Sequence, residues 1–530
     1  MKQAYANLKA GNTDVADFDI EPTHAYSRYL PKNEEEWGIL KSDTTIVWYD
    51  YPLDYEIVNL GTTYHDPSLP ENAITWQYCV VPIGHPMPNI HHELLYEVYI
   101  PAKDANSGLK SSTAAKQFLL ALEYESVKLT GNLPENELKS TTGLLPAEWT
   151  PKGTIKVWDD VIGSTTTYTQ VFDHWEYYDC NTGDPVTPPQ PEQPAKIQTM
   201  MVQPIDQCQR AVYRYEPVTE TGSYIPLVQA TVHARWFTHI ESDLTDNNGY
   251  FETGKFNYEV NYAIKWERAD YDIRDGSLLQ AWYNGPKQKG DWNLKIRGGE
   301  SVMFATMHRA AYKSFYGENL NLYRPTLHNG GRTKICYKDS YGTGVFWGDW
   351  SATGILPDIK IWGKDENNTY RNTNIVYGFT IHELAHQAHS QYLGNIQYWQ
   401  VSKIIYESWA DAVEWALTND EYHKLGNQFL SPAGINYNHP SNNHSRWPLN
   451  CTWEYSPIFI DLVDDVNQRI VLFHGDTRYP NDLITGYTME QINKNILPNS
   501  YGISSLKSAV KNNKIPGVTD AVIDELFLLY

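Results

Sequence analysis

Phe379-Thr380-Ile381-His382-Glu383-Leu384-Ala385-His386-Gln387-Ala388-His389 is the stretch around which the chain is organised. It contains the pattern H-E-x-x-H. On a helix, His382 and His386 lie one turn apart on one face, so both imidazoles can reach a single metal ion. Glu383 sits about 100° further round, close enough to touch a metal-bound water without being a ligand. Zinc chemistry needs that division: neutral nitrogen ligands, one open position, and a carboxylate to take a proton from water. The local sequence supports the helix. Ile381, Leu384, Ala385 and Ala388 line its other faces, Asn372-Thr373-Asn374 offers caps before Ile375, and Gly394 suits the residue just past the end. The expected length is roughly 19 residues.

A second stretch, Tyr406-Glu407-Ser408-Trp409-Ala410-Asp411-Ala412-Val413-Glu414-Trp415, follows. Glu407 comes 21 residues after His386. Ile404, Ile405, Ala412, Val413 and Ala416 form the apolar part of another helix. Two antiparallel helices joined by a loop could bring Glu407 to the metal as third ligand. Asp411, one turn on, could hydrogen-bond the outer nitrogen of a ligand histidine and fix its tautomer. Glu414 is the rival to Glu407, two turns along the same face.

H-E-L-A-H followed by E-S-W-A-D resembles the gluzincin zinc metallopeptidases, the thermolysin-like clan. The resemblance covers only these two stretches. It implies a zinc ion held by His382, His386 and Glu407, with Glu383 as catalytic base and Asp411 behind a ligand histidine. The metzincin pattern would need a glycine after the second histidine; Gln387-Ala388-His389-Ser390 has none. His389 is therefore carried away from the metal and is expected in the groove or behind the ligands.

Composition fits an ordinary globular protein, and 530 residues suffice for about two to four domains. The net charge of −22 disfavours nucleic acid and anionic membrane surfaces as partners. Cys79, Cys180, Cys208, Cys336 and Cys451 are scattered, with no C-x-x-C, which argues against a disulfide framework and a cysteine zinc site; only Cys180 and Cys208 stand out as a candidate pair. Neither a signal peptide nor a stretch of transmembrane length is visible.

The whole chain reads as multidomain α+β. Residues 1–40 read as a polar arm or helical lead-in. Residues 41–180 read as a mixed α/β domain, with strands at Thr45–Tyr49 and Trp76–Val81, a helix from Lys116 to Val127, and a strand pair at Gly153–Trp158 and Tyr168–Phe172. His91-His92-Glu93 is read as a polar lead-in to a strand, since adjacent histidines point apart. Five prolines between Pro185 and Pro194 mark a linker over 181–204.

Residues 205–298 alternate as short strands. Pro226-Leu227-Val228-Gln229-Ala230-Thr231-Val232-His233-Ala234 and Thr245-Asp246-Asn247-Asn248-Gly249-Tyr250-Phe251 resemble the carboxypeptidase regulatory-like β-sandwich, a module that recurs beside catalytic domains in Bacteroidetes-type surface proteins. Asp246 is read as an Asx-turn residue. Residues 299–530 read as a mainly helical, zincin-like catalytic domain with a small sheet. Its helices are expected at Glu300–Tyr316, Pro457–Phe473 and Thr488–Leu497, the last opened by a capping box. Asp358–Trp362 is the expected edge strand beside the site.

The expected function is zinc-dependent peptide-bond hydrolysis on a polypeptide or glycoprotein substrate. Alternatives are an exopeptidase or glycoprotein-directed peptidase, and a surface binding protein with a degenerate peptidase core. A neutral oxyanion donor is expected, and the resemblance implies a Tyr or His from beyond the Glu407 helix; Tyr437, His439 and His444 are candidates, the two histidines first. The sandwich resemblance, the proline-rich spacer and the 39 Tyr and 18 Trp point to an exported protein, at the cell surface, in the periplasm or secreted, with room for a lipid anchor outside the chain.

Overall fold

The computed structural model describes residues 1–530 apart from 12–19, 44, 54–60, 62–63, 71–72, 101–112, 132–146, 180, 183–184, 187–206, 238, 278, 327–330, 347–357, 427–454, 472–474, 476 and 478–479. It is mixed α/β with several sheets, in two compact units: Met1–Asp159 with Tyr224–Tyr530, and Asp160–Ser223.

The strands are, in chain order, β1 His24–Tyr29, β2 Gln77–Pro82, β3 His92–Val98, β4 Lys152–Asp179, β5 Gln207–Pro226, β6 Thr231–Trp236, β7 His239–Leu244, β8 Tyr250–Glu252, β9 Val260–Lys265, β10 Tyr271–Asp275, β11 Leu279–Gln280, β12 Trp282–Gln288, β13 Trp292–Ile296, β14 Thr333–Tyr341, β15 Gly344–Phe346 and β16 Ile359–Lys364.

In the larger unit, β2-β1-β3 form an antiparallel sheet. Residues 1–40, read as a polar arm or helical lead-in, hold the helix Lys2–Gly11 and the central strand β1, whose Tyr26 and Tyr29 are buried in two different core clusters. Thr45–Tyr49, expected as a strand, contributes only a bridge from Tyr49 to Tyr78. Glu93 of the His-His-Glu triplet pairs with Arg28 on the neighbouring strand at 2.6 Å.

A second sheet has the order β12-β9-β6-β7, and a third joins β13, β4, β5 and β8. Tyr262 of β9 stacks on Trp292 of β13, their ring centres 5.2 Å apart, and Phe251 of β8 packs edge-on to both. Asp246 does serve an Asx turn. Its Oδ1 accepts from the N–H groups of Asn248 and Tyr250, both at 2.8 Å. Gly249 has φ +76°, and a Cβ there would meet the Ile155 carbonyl at 2.3 Å.

The smaller unit holds the outer parts of β4 and β5, crossed by the pairs Asp173–Arg214 and Glu176–Arg210. Gly153–Trp158 and Tyr168–Phe172 are segments of the single strand β4 rather than partners; Gly163, at φ +66°, does not reverse the chain. The proline-rich stretch connects β4 to β5, and 187–206 lie outside the described residues, as does Cys180.

The sheet that supports the motif has the order β11-β10-β14-β16-β15, with β10, β14 and β16 parallel and β15 antiparallel to β16. Among the described residues, β15 is the outer strand on the β16 side of the sheet. Asp358–Trp362 lies in or beside β16, which is hydrogen-bonded on both sides, so the expected edge strand is corrected to Gly344–Phe346. Two helices pack against this sheet, Gly299–Phe315 and Thr373–Leu393 (the motif helix), and Lys403–Lys424 (the carboxylate helix) packs against the motif helix.

The motif helix is 21 residues long, opens after Asn372 and stops at Gly394, whose φ is +78°. Every residue from Val376 to Ser390 is buried, including the polar side chains of His382, Glu383, His386, Gln387 and His389. The helices are tied together by Asp159, fully buried, which accepts from Arg309 Nη1 at 2.8 Å and from the Tyr422 hydroxyl at 3.0 Å. The helix expected over Pro457–Phe473 is only two short pieces, Ile458–Asp461 and Gln468–Val471. Asp464 and Asn467 bind backbone N–H groups of Val466 and Ile470 between them, an alternative to the helical ladder. The capping box of Thr488 and Gln491 forms as expected.

Candidate metal centre

The motif helix and the carboxylate helix lie side by side, and their facing stripes converge. His382 Nε2 and His386 Nε2 are 3.1 Å apart. Glu407 Oε2 lies 3.3 Å from the first and 3.2 Å from the second. Three lone-pair atoms this close need a cation among them, a proton or a metal ion. Donors at about 2.0–2.1 Å around a tetrahedral ion stand about 3.3–3.4 Å from one another. The three observed separations fit that requirement, leaving a fourth position for a small ligand. Glu407 is not fully buried, so solvent reaches this side of the cluster.

His382 Nδ1, its outer nitrogen, faces Glu414 Oε2 at 3.0 Å and Asp411 Oδ1 at 3.2 Å. His382, Asp411 and Glu414 also lie close enough together to hold an ion. That second set offers a single neutral donor and is almost wholly enclosed, with nowhere for water or substrate. The set of His382, His386 and Glu407 is the better candidate. Glu414, the rival to Glu407, faces the opposite nitrogen of the ring.

The electrostatics follow. Burial opposes a charged His382, but hydrogen bonds to Asp411, Glu407 and Glu414 outweigh it and hold its pKa well above the ordinary value. Burial would raise Glu407, yet its bonds to His382 and His386 pull it well below the usual carboxylate range. Burial lowers His386, partly offset by Glu407. Burial pushes Glu383 up to about 8, against the opposing charge of His382. A buried carboxyl group so perturbed beside a His–Glu cluster marks a candidate functional site.

Glu383 is held by the outer strand. Its carboxylate accepts from the backbone N–H of Phe346. Gly344, two residues earlier on β15, leaves the space the carboxylate occupies: a Cβ there would lie 2.3 Å from Glu383 Oε1. The Phe346 ring runs nearly parallel to His386, 16° between planes at 6.4 Å.

Two tyrosines absent from the sequence reading join the cluster. The Tyr398 hydroxyl sits 3.3 Å from His386 Nδ1. Tyr455 lies within electrostatic reach of Glu407, His382, Asp411 and Glu383, and burial together with the carboxylates raises its pKa. Neither has a fixed spacing from H-E-x-x-H; the only signal for Tyr455 was the expectation of a donor beyond the carboxylate helix. Tyr437, His439 and His444 lie outside the described residues. His389 is buried behind the cluster, edge-on to Tyr398 at 5.3 Å, and burial drives its pKa down to about 3.

No family model matches the chain, and no curated protein or solved structure shows significant similarity to it. Among the described residues, no helix is long and apolar enough to cross a membrane.

Proposed function

We propose that the chain is a zinc-dependent peptidase whose metal ligands are His382, His386 and Glu407. The observation that carries this reading is the triangle of Nε2, Nε2 and Oε2 at 3.1–3.3 Å with Glu383 beside it. Two imidazoles and one carboxylate with an open fourth position are the donor set of hydrolytic zinc sites. When bound there, zinc supplies a Lewis acid for the scissile carbonyl and lowers the pKa of water.

The chain's own residues do the rest. Glu383 accepts a proton from the attacking water and delivers it to the nitrogen of the departing amine. The N–H of Phe346 keeps that carboxylate in place between the two transfers. Tyr455 keeps its hydroxyl proton at neutral pH, because its pKa is raised, and is the donor for the developing oxyanion. An extended substrate adding to the outer edge of β15 runs directly past Glu383. The test is zinc content and peptide turnover of wild type beside Glu383→Gln. Wild type is expected to carry about one zinc per chain and to cleave unfolded protein. The variant is expected to keep zinc and lose turnover by several orders of magnitude. Zinc-free, inactive wild type would overturn the proposal. A binding protein with a degenerate peptidase core would show the two alike.

One observation favours glycoprotein substrates as a second reading. Trp399, next to Tyr398, is 62 % exposed and Ile396 is 81 % exposed, which leaves apolar surface at the end of the motif helix. Faster cleavage of a mucin-like glycoprotein than of its deglycosylated form would select this reading. The export of the chain, its gluzincin membership and the regulatory-like character of the 205–298 sheets belong to the same proposal. Fractionation that leaves the native protein in the cytosol would remove the first.

A further inference from the structure

Glu407, Asp411 and Glu414 lie on one stripe of the carboxylate helix, and all three reach the same imidazole. Glu407 touches Nε2 of His382; Asp411 and Glu414 both touch Nδ1. A single acceptor suffices to fix a tautomer. Here one N–H lies between two carboxylate oxygens, at 3.2 and 3.0 Å, and both acids are buried. Burying a second carboxylate is expensive unless it makes a bond that matters. The other oxygen of Asp411 has no hydrogen-bond partner, so Asp411 is committed to His382 alone.

We propose that Glu414 is a second positioning residue for His382, forming with Asp411 a two-carboxylate clamp on Nδ1. The clamp keeps the proton on Nδ1 and the lone pair of Nε2 aimed at Glu407 and His386. It also resists rotation of the ring in two directions, since the two oxygens approach from successive turns of the helix. Each acid then backs up the other, and removal of either leaves a bond in place. This inference rests on the metal-site reading above.

The experiment measures zinc affinity of the full chain by competition with a chromophoric chelator, for wild type, Asp411→Ala, Glu414→Ala and the double variant. Each single variant is expected to bind zinc about 10-fold more weakly, and the double variant about 100-fold or more. Glu414→Ala with wild-type affinity, together with Asp411→Ala as weak as the double variant, would overturn the clamp. Wild type that takes up no zinc overturns the metal reading and the clamp with it, so the two failures are told apart. Should Glu414→Ala not fold, Glu414→Gln keeps the shape and a weaker acceptor. In zinc-loaded protein with labelled histidine, the His382 Nδ1 proton resonance is expected to move upfield in Glu414→Gln. A Glu414 that only fills space leaves that resonance where it was, which counts against the proposal.

Discussion

At the scale of single residues, Gly344 is the most exposed to test. A methyl group there would strike the Glu383 carboxylate. Gly344→Ala is expected to keep zinc, because no ligand moves, and to lower turnover by about 10- to 100-fold through misplacement of the base. Unchanged kcat would show that β15 does not position Glu383. His382→Ala and Glu407→Ala are expected to lose the ion, since two donors hold it weakly, and zinc analysis after dialysis checks this. His382 and His386 were legible as a pair because helical spacing puts them on one face with Glu383 beside them; Glu407 came from the resemblance, with Glu414 left open as its rival. Gly344, Tyr398 and Tyr455 were not: each comes from another element, at no fixed spacing, and only folding brings it near. Glu414 was visible as an acid on the right face, but spacing does not say which nitrogen it meets.

At the scale of elements, the Asp159–Arg309 pair joins a strand to two helices inside the core. Breaking one partner leaves the other charge buried, at a cost of about 3–5 kcal/mol. Asp159→Ala is expected to lower the denaturation midpoint accordingly, and Arg309→Met with Asp159→Leu together to recover part of it. A loss below about 1 kcal/mol would mean that water replaces the missing partner. The long, strongly patterned elements were readable: the motif and carboxylate helices, the helix after Gly299, and the turn at Asp246. The misread ones were those that non-local pairing decides. Thr45–Tyr49 has strand composition but pairs at a single residue, and β4 runs through a glycine that marks a break in sequence alone. Which strand lies at a sheet's edge is likewise a property of strand order, which composition does not carry.

At the scale of the whole molecule, stability is expected to depend on pH through buried acids outside the His382–His386–Glu407 cluster. Asp482 is raised to about 10 and Asp464 to about 8, by burial first and then by the charge of Asp461. The folded state binds protons here that the unfolded chain gives up above about pH 4. Their contribution is therefore complete below that pH and declines as pH rises towards 8 and beyond. Asp482→Asn keeps the acceptor for the Ile484 N–H and removes the titration. It is expected to stabilise the protein by roughly 1–3 kcal/mol at pH 8 and to change little at pH 4. Denaturant melts at the two pH values check the sign.

The parallel pairing of β4 with β13 has a consequence for biosynthesis. Gly153 faces Trp292 in register, and Asp159 needs Arg309 and Tyr422. The early part of the chain thus leaves the ribosome with half of a ladder and an unanswered charge, and must wait for partners made much later. Such order-dependent pairing delays the nucleus and lengthens the interval in which apolar strands are open to chaperones or aggregation. It also means that residues 299–530, expressed alone, would lack β10, the strand hydrogen-bonded to β14, and the Asp159 carboxylate that joins Arg309 to Tyr422.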